Sequence, residues 1–299
     1  MKIKLTIILS LIVLAGCSAS YEELKKTQIK KPQNLSEYLV KEYKNKAEYE
    51  ALKMHDWNSA KLYSEKALLA LKGKEVLPEN VTYWDLPEEK VNEINRAHKN
   101  LMAVYSESKI SDPHNLAIAI SSLDCWSEQQ EENWQTWDIN KCKNDFLKSL
   151  HIIYEKITLN ENSKKNLNSN LPIIEDNNKS IALVTKNKKK EIMQIIYFDF
   201  DEAVLSNVSI NTLKNFIIKH HTEITKYIIV GHTDTKGTKE YNNKLSLKRA
   251  ITIKNNLINQ GINDKNITLL GKGEELLAVP TPDEVAHPAN RRAEIKISN

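Results

Sequence analysis

The chain has 299 residues, 40% hydrophobic and 27% charged, with a formal net charge of +4. That length leaves room for two domains. So small a charge excess, +2 once Lys2 and Lys4 are set aside, argues against a strong nucleic-acid or anionic-membrane field.

The N-terminus reads as an export signal. Lys2 and Lys4 precede an apolar run from Leu5 to Val13, which ends in Leu14-Ala15-Gly16-Cys17. A bilayer-spanning helix needs about 20 apolar residues, so a run this short reads as a cleavable h-region rather than an anchor. Leu-Ala-Gly-Cys resembles the lipobox of bacterial lipoproteins. The resemblance implies cleavage after residue 16, with Cys17 as the first mature residue carrying lipid. Several acyl chains anchor stably where one binds only marginally. Ser18, rather than an aspartate, follows the cysteine, which by the enteric sorting rule favours the outer membrane.

Residues 17–158 read as a helical domain. Leu39, Tyr43, Ala47, Ala51 and Met54 recur at spacings of three and four, as do Ala60, Tyr63, Ala67 and Leu71 after Asp56-Trp57-Asn58. The pair is similar to a tetratricopeptide hairpin, but no clean 34-residue repeat follows. Leu86-Pro87-Glu88-Glu89 reads as a helix start. Further helices are expected over 94–106, 114–126 and 143–157. With Cys17 lipidated, Cys125 and Cys142 remain; in an oxidising periplasm they form a disulfide candidate worth about 3 kcal/mol, with two buried free thiols as the alternative. The carboxylate- and amide-rich stretch from Asp124 to Trp134 has two readings. One is a cation or partner site; the other is a solvated helix face with two tryptophans packed inward. Its Cys-Trp-x-Glu-Gln-Gln-Glu-Glu-Asn pattern also resembles a segment of alphaproteobacterial OmpA-like lipoproteins.

Residues 159–190, rich in Asn, Lys and Ser, read as a flexible linker, with 181–184 as a short strand.

From residue 191 the texture changes. Strands are expected over 192–200, 227–230, 267–270 and 292–297. Helices are expected over 210–220 and 239–260, the latter stopped by Gly261. The order β-α-β-α-β-β places helices on one face of a mixed sheet, making the whole chain α+β. Tyr197-Phe198-Asp199, Gly231-His232-Thr233-Asp234, Gly237, Tyr241-Asn242, Leu245-Ser246, Arg249-Ala250, Gly271-Lys272-Gly273-Glu274 and Asn290-Arg291-Arg292-Ala293-Glu294-Ile295 resemble, in order and spacing, the OmpA-like C-terminal domain. That domain also occurs in the peptidoglycan-associated lipoprotein and flagellar stator proteins. The resemblance implies non-covalent binding of peptidoglycan through the meso-diaminopimelate of its stem peptide. Asp234 and Arg249 are the implied pair, the acid accepting from the ligand's ammonium and the guanidinium fork donating to its carboxylate. Asn242 and Leu245 are implied pocket-lining positions, and Thr235 and Asp201 weaker carry-overs. Arg291 either lines the rim or starts the last strand.

No nucleophile–base arrangement or metal-ligand cluster is legible in this module, and no enzyme activity, cofactor or metal is expected. His232 reads as loop packing, and the adjacent His220 and His221 point different ways on a helix. The leading expectation is a tether, outer membrane at Cys17 and cell wall at Asp234 and Arg249. The alternative is a periplasmic scaffold whose helical domain binds a protein partner, the C-terminal module only localising it.

Overall fold

The computed structural model describes residues 19–168, 192–222 and 225–298. Cys17 and the expected strand at 181–184 lie outside the described residues. The chain divides into two compact units between Ile153 and Tyr154. Among the described residues no helix is long and apolar enough to cross a membrane.

The first unit is helical. Its main helices are α1 (Leu35–Tyr49), α2 (Trp57–Leu71), α3 (Glu88–Ser111), α4 (Pro113–Glu132) and the start of α5 (Thr136–Asn168). Each boundary has a local cause. Asn34 caps α1 by accepting from the Glu37 amide, and Asp56 caps α2 by accepting from Asn58 and Ser59. Pro113 occupies the first turn of α4, where its missing N–H costs nothing. A π-helical turn, Glu50–Met54, joins α1 to the left-handed His55 (φ 59°). Leu39, Tyr43, Ala47 and Ala51 are buried as expected, and so are Ala60, Tyr63 and Ala67. Leu71 departs from the pattern: it is 47% exposed, and Ala70 takes the inward position.

The carboxylate-rich stretch does not present a solvated face. Asp124, Trp126, Glu128, Gln129 and Gln130 are all buried, whereas Trp134 is 67% exposed. Only one of the two tryptophans therefore packs inward. Asp124 is matched: Lys66 Nζ lies 2.5 Å from its Oδ2, Tyr43 donates to the same oxygen at 2.6 Å, and the Glu79 amide donates to Oδ1 at 2.7 Å. A buried charge with a buried counter-charge and full hydrogen bonding is the arrangement that low dielectric tolerates. Cys125 and Cys142 are joined by a disulfide linking α4 to α5, with Cα atoms 5.7 Å apart. Helix α5 continues to Asn168, so the segment expected as linker from residue 159 is helical over its first ten residues.

In the second unit, β1 (Met193–Tyr197), α6 (Asn207–His220), β2 (Lys226–Gly231), α7 (Lys239–Asn259), β3 (Ile267–Gly271) and β4 (Arg292–Ser298) follow in the expected order. The sheet order is β1-β4-β2-β3, with β4 antiparallel to both its neighbours and β2 parallel to β3. Alternation along the central strands sends Tyr227, Ile229, Ala293 and Ile295 to one face. There they meet Leu213, Phe216 and Ile217 of α6 and Ala250, Ile253 and Leu257 of α7. Arg292, Glu294 and Lys296 alternate with those core residues along β4 and so project to the opposite face. Gly261, at φ +92°, ends α7 in a left-handed conformation that glycine adopts freely. At Gly231 the reason for glycine is space: a Cβ there would sit 1.9 Å from the Ser246 carbonyl oxygen of α7.

Candidate functional site

Strand β2 stops at Gly231, and α7 starts at Lys239, capped by Thr238, whose hydroxyl accepts from the Tyr241 amide. Between them runs the loop that carries the acid. It is not a surface turn, because His232, Thr233, Asp234 and Thr235 are each at most 5% exposed. The loop is pinned from several sides. The Thr233 amide donates to the Gly273 carbonyl at 2.8 Å. Thr235 Oγ1 donates to the Pro282 carbonyl at 2.6 Å and accepts from the Val285 amide at 3.2 Å, while Lys236 pairs with Glu284 at 2.8 Å. Asn242, at the start of α7, donates from Nδ2 to the Asp234 carbonyl at 3.3 Å and to Glu274 at 2.6 Å. Thr235 and Asn242 thus hold the loop in place, and Leu245 is buried one turn further along α7.

Arg249 is fully buried. Its Nε donates to the Glu202 carbonyl at 2.9 Å, Nη1 to His232 at 2.7 Å and Nη2 to Asp199 at 3.2 Å. The guanidinium carbon lies 5.3 Å from the centre of the Phe198 ring. A guanidinium has five N–H donors, so two, one on each terminal nitrogen, remain unused among the described residues. Burial lowers the pKa of Arg249 to about 10. The neighbouring Arg291 lowers it further, while Asp234 and Asp201 oppose the shift.

Asp234 finds its direct partner in Arg291. Oδ2 accepts from Arg291 Nη1 at 3.1 Å and from the His287 amide at 3.2 Å. Its other oxygen, Oδ1, accepts no hydrogen bond among the described residues. Arg291 is 2% exposed and sits 5.9 Å from the Phe200 ring centre. The two residues singled out from sequence, Asp234 and Arg249, are therefore electrostatic neighbours without being an ion pair. Sequence reading left Arg291 undecided between pocket rim and strand start, and did not single out Phe198, Phe200 and His287 individually. The Asn290-Arg291-Arg292 block was visible, but nothing in its spacing says which arginine turns toward Asp234. Asp201 adopts φ 60° on the exposed side and accepts from the Tyr241 hydroxyl. His232 is buried as loop packing. Burial and then Arg292 lower its pKa to about 3, so it is neutral at physiological pH.

Two buried guanidiniums lie beside one buried carboxylate, and among the described residues two N–H groups of Arg249 and Oδ1 of Asp234 remain unused. Such a site is complementary to a ligand carrying both a carboxylate and an ammonium.

Residues 197–291 match the model of the OmpA family. The chain is 34% identical over 99 residues to the peptidoglycan-associated lipoprotein of Pasteurella multocida, a match covering 33% of this chain and 66% of that protein. It is 33% identical over 105 residues to outer membrane porin F of Pseudomonas fluorescens, covering 34% of this chain and 32% of the porin. The chain thus spans about a third of the porin's length and just under two thirds of the lipoprotein's. Among solved structures it is similar to the peptidoglycan-associated lipoprotein from Burkholderia pseudomallei: 29% identity, 35% of this chain and 89% of that chain covered, TM-score 0.32. The C-terminal third is an OmpA-family domain.

Proposed function

We propose that this chain is a cell-envelope lipoprotein of a Gram-negative bacterium that binds peptidoglycan non-covalently and ties the outer membrane to the cell wall. The OmpA-family domain holds the wall, and lipid on Cys17 holds the membrane. Within the stem peptide the contacted group is the free amino-acid head of meso-diaminopimelate. Its carboxylate takes the two unused N–H donors of Arg249, and its ammonium takes Asp234 Oδ1.

The observation that carries this reading is the buried Arg249 with two unused N–H groups beside Asp234, whose Oδ1 accepts no hydrogen bond among the described residues; the neighbouring Arg291 disfavours the charge of Arg249. A ligand carboxylate relieves that repulsion, and charge-assisted hydrogen bonds in a desolvated site are the strong ones. Binding requires no bond making, and nothing in the pocket activates a nucleophile. Phe200 and Tyr241, partly exposed beside Asp201, form the rim.

Sedimentation with purified diaminopimelate-type peptidoglycan tests the proposal. The wild-type chain co-sediments, and Asp234→Asn and Arg249→Lys, checked for folding by circular dichroism, stay in the supernatant. Co-sedimentation of both variants at the wild-type level refutes the pocket assignment.

A second reading draws on the helical unit, where Trp134 and Trp137 are 67% and 59% exposed. There the unit binds an envelope protein and the OmpA-family domain localises it. Deleting residues 191–299 separates the two readings, since a scaffold retains its partner without wall binding.

A further inference from the structure

The helical unit contains a cluster of carboxylates with no role in wall binding. Carboxylate oxygens of Asp56, Glu128 and Glu132 lie within 4.8 Å of one another. Asp56 enters from the N-cap of α2, directly after the π-helical turn and the left-handed His55. Glu128 and Glu132 stand one turn apart at the end of α4, which Asn133 closes at φ 52°. Glu128 is buried, whereas Glu132 is exposed, so the cluster opens to solvent on one side.

Two further side chains point to a missing partner. Glu50 is 3% exposed, and its carboxylate makes no hydrogen bond or ion pair among the described residues; its strongest charged neighbours are Glu128 and Asp56. Gln129 is 2% exposed. Its Nε2 donates to Glu128 Oε2 at 2.8 Å, and its Oε1 is buried without a partner. Asp124, one turn earlier on the same helix, has Lys66 for neutralisation. Among the described residues Glu128 has only neutral donors, Ser59 at 2.7 Å, Tyr63 at 3.4 Å and Gln129. Buried carboxylates gathered without a cation are either protonated or waiting for one.

We propose that Asp56, Glu128 and Glu132, with Glu50 and the carboxamide of Gln129 behind them, form a binding site for a hard divalent cation of calcium's class. The donor set is all oxygen, which suits a hard cation. Calcium takes oxygens at about 2.3–2.6 Å, so opposing ligands lie about 4.6–5.2 Å apart, in keeping with this cluster. Magnesium, at about 2.0–2.1 Å with strict octahedral demands, needs the groups drawn closer. Rotating the Gln129 amide turns its carbonyl oxygen toward the ion.

The test is calorimetric titration of the full chain, stripped with a chelator, using calcium chloride and then magnesium chloride. Tryptophan emission is a parallel readout, because Trp134 Nε1 donates to Glu132 at 3.1 Å. Expected are one saturable calcium site with a dissociation constant of about 10⁻⁵–10⁻³ M and magnesium binding at least about tenfold weaker. Glu132→Gln, at the exposed edge, weakens calcium binding at least about tenfold while the chain stays folded, and Glu128→Gln abolishes it. Glu75→Gln, an acid elsewhere in the unit paired with Lys109, leaves it unchanged. No saturable heat up to about 10 mM calcium, as protonated carboxylates would give, overturns the proposal. So does wild-type affinity in Glu132→Gln, a result that stands even if Glu128→Gln does not fold.

Discussion

Replacing Arg249 separates its anchoring of the pocket from the ligand grip proposed above. The side chain donates to the carbonyls of Asp199, Glu202 and His232, which belong to two different loops. A hydrogen bond from a charged donor contributes about 1.5–3 kcal/mol, and a buried acceptor left unpaired costs about 1–3 kcal/mol. Arg249→Ala therefore costs on the order of 5 kcal/mol, comparable to the whole stability of a domain near 100 residues, about 5–15 kcal/mol. The OmpA-family domain of this variant is expected to be largely unfolded. Arg249→Lys retains a charge but loses the planar fork. It keeps one or two of the three carbonyl contacts and costs about 2 kcal/mol, a melting-temperature drop of roughly 8–16 °C for a domain of this size. Differential scanning calorimetry of the wild type and both variants reads these values directly. Peptidoglycan sedimentation at 20 °C then reads binding in the folded Lys variant, where a loss of at least about tenfold is expected. Should Arg249→Ala melt within about 2 °C of the wild type, the three-carbonyl anchorage is wrong and with it the reason for the burial of this arginine.

Gly231→Ala puts a Cβ against the Ser246 carbonyl, so a loss of about 3 kcal/mol or more is expected in urea unfolding of the C-terminal domain. Reducing the Cys125–Cys142 bridge, or replacing both cysteines by serine, is expected to cost the helical unit about 3 kcal/mol while leaving the melting of the OmpA-family domain unchanged, as followed by calorimetry. Acid should weaken the OmpA-family domain through His232 and His287, whose pKa values burial lowers from 6.5 to about 3 and about 4. The unfolded chain takes up these protons below pH 6.5 and the folded one does not. Their contribution is thus intact above pH 6.5 and is lost as the pH falls toward 3; urea midpoints at pH 7, 5.5 and 4.5 should decline in that order, and His232→Asn should flatten the decline.

The elements of the C-terminal domain were legible because each depends on local signals. Period-two alternation marks Tyr227, Ile229, Ala293 and Ile295, period 3.6 marks Ala250, Ile253 and Leu257, and Gly261 ends α7. Boundaries came within a few residues wherever a cap or a glycine set them. The start of the expected linker departs from the expectation for the complementary reason. Residues 160–168 are polar and carry no apolar stripe, so composition alone reads them as unstructured. A helix already propagating from Thr136 extends at the cost of one residue at a time and needs no stripe of its own to do so. The solvated-face reading of the stretch from Asp124 to Trp134 is overturned for a different reason. Carboxylates and amides are exposed on most helices, and nothing local announces that Lys66, 58 positions away, neutralises Asp124 or that Ser59 and Tyr63 reach Glu128.

The same limit explains what was and was not visible in the pocket. An aspartate on a glycine-bounded loop and an arginine fifteen positions later are a local pattern, and the structure brings both into one buried site. The direct ion pair, Asp234 with Arg291, spans 57 positions and depends on where the end of β1, the loop before α7 and the start of β4 converge. No periodicity encodes that convergence. It changes how the site works. An isolated Asp234 would be free to meet a ligand ammonium with both oxygens. Paired with Arg291 on Oδ2, it is held in one orientation and offers only Oδ1. Arg249 is likewise fixed by three carbonyls and offers only two N–H groups. A pocket whose charged groups are already immobilised loses little conformational entropy on binding. In the binding mode proposed above, selectivity rests on one acceptor oxygen and one donor fork being engaged together, as a single amino-acid head carrying both an ammonium and a carboxylate would engage them.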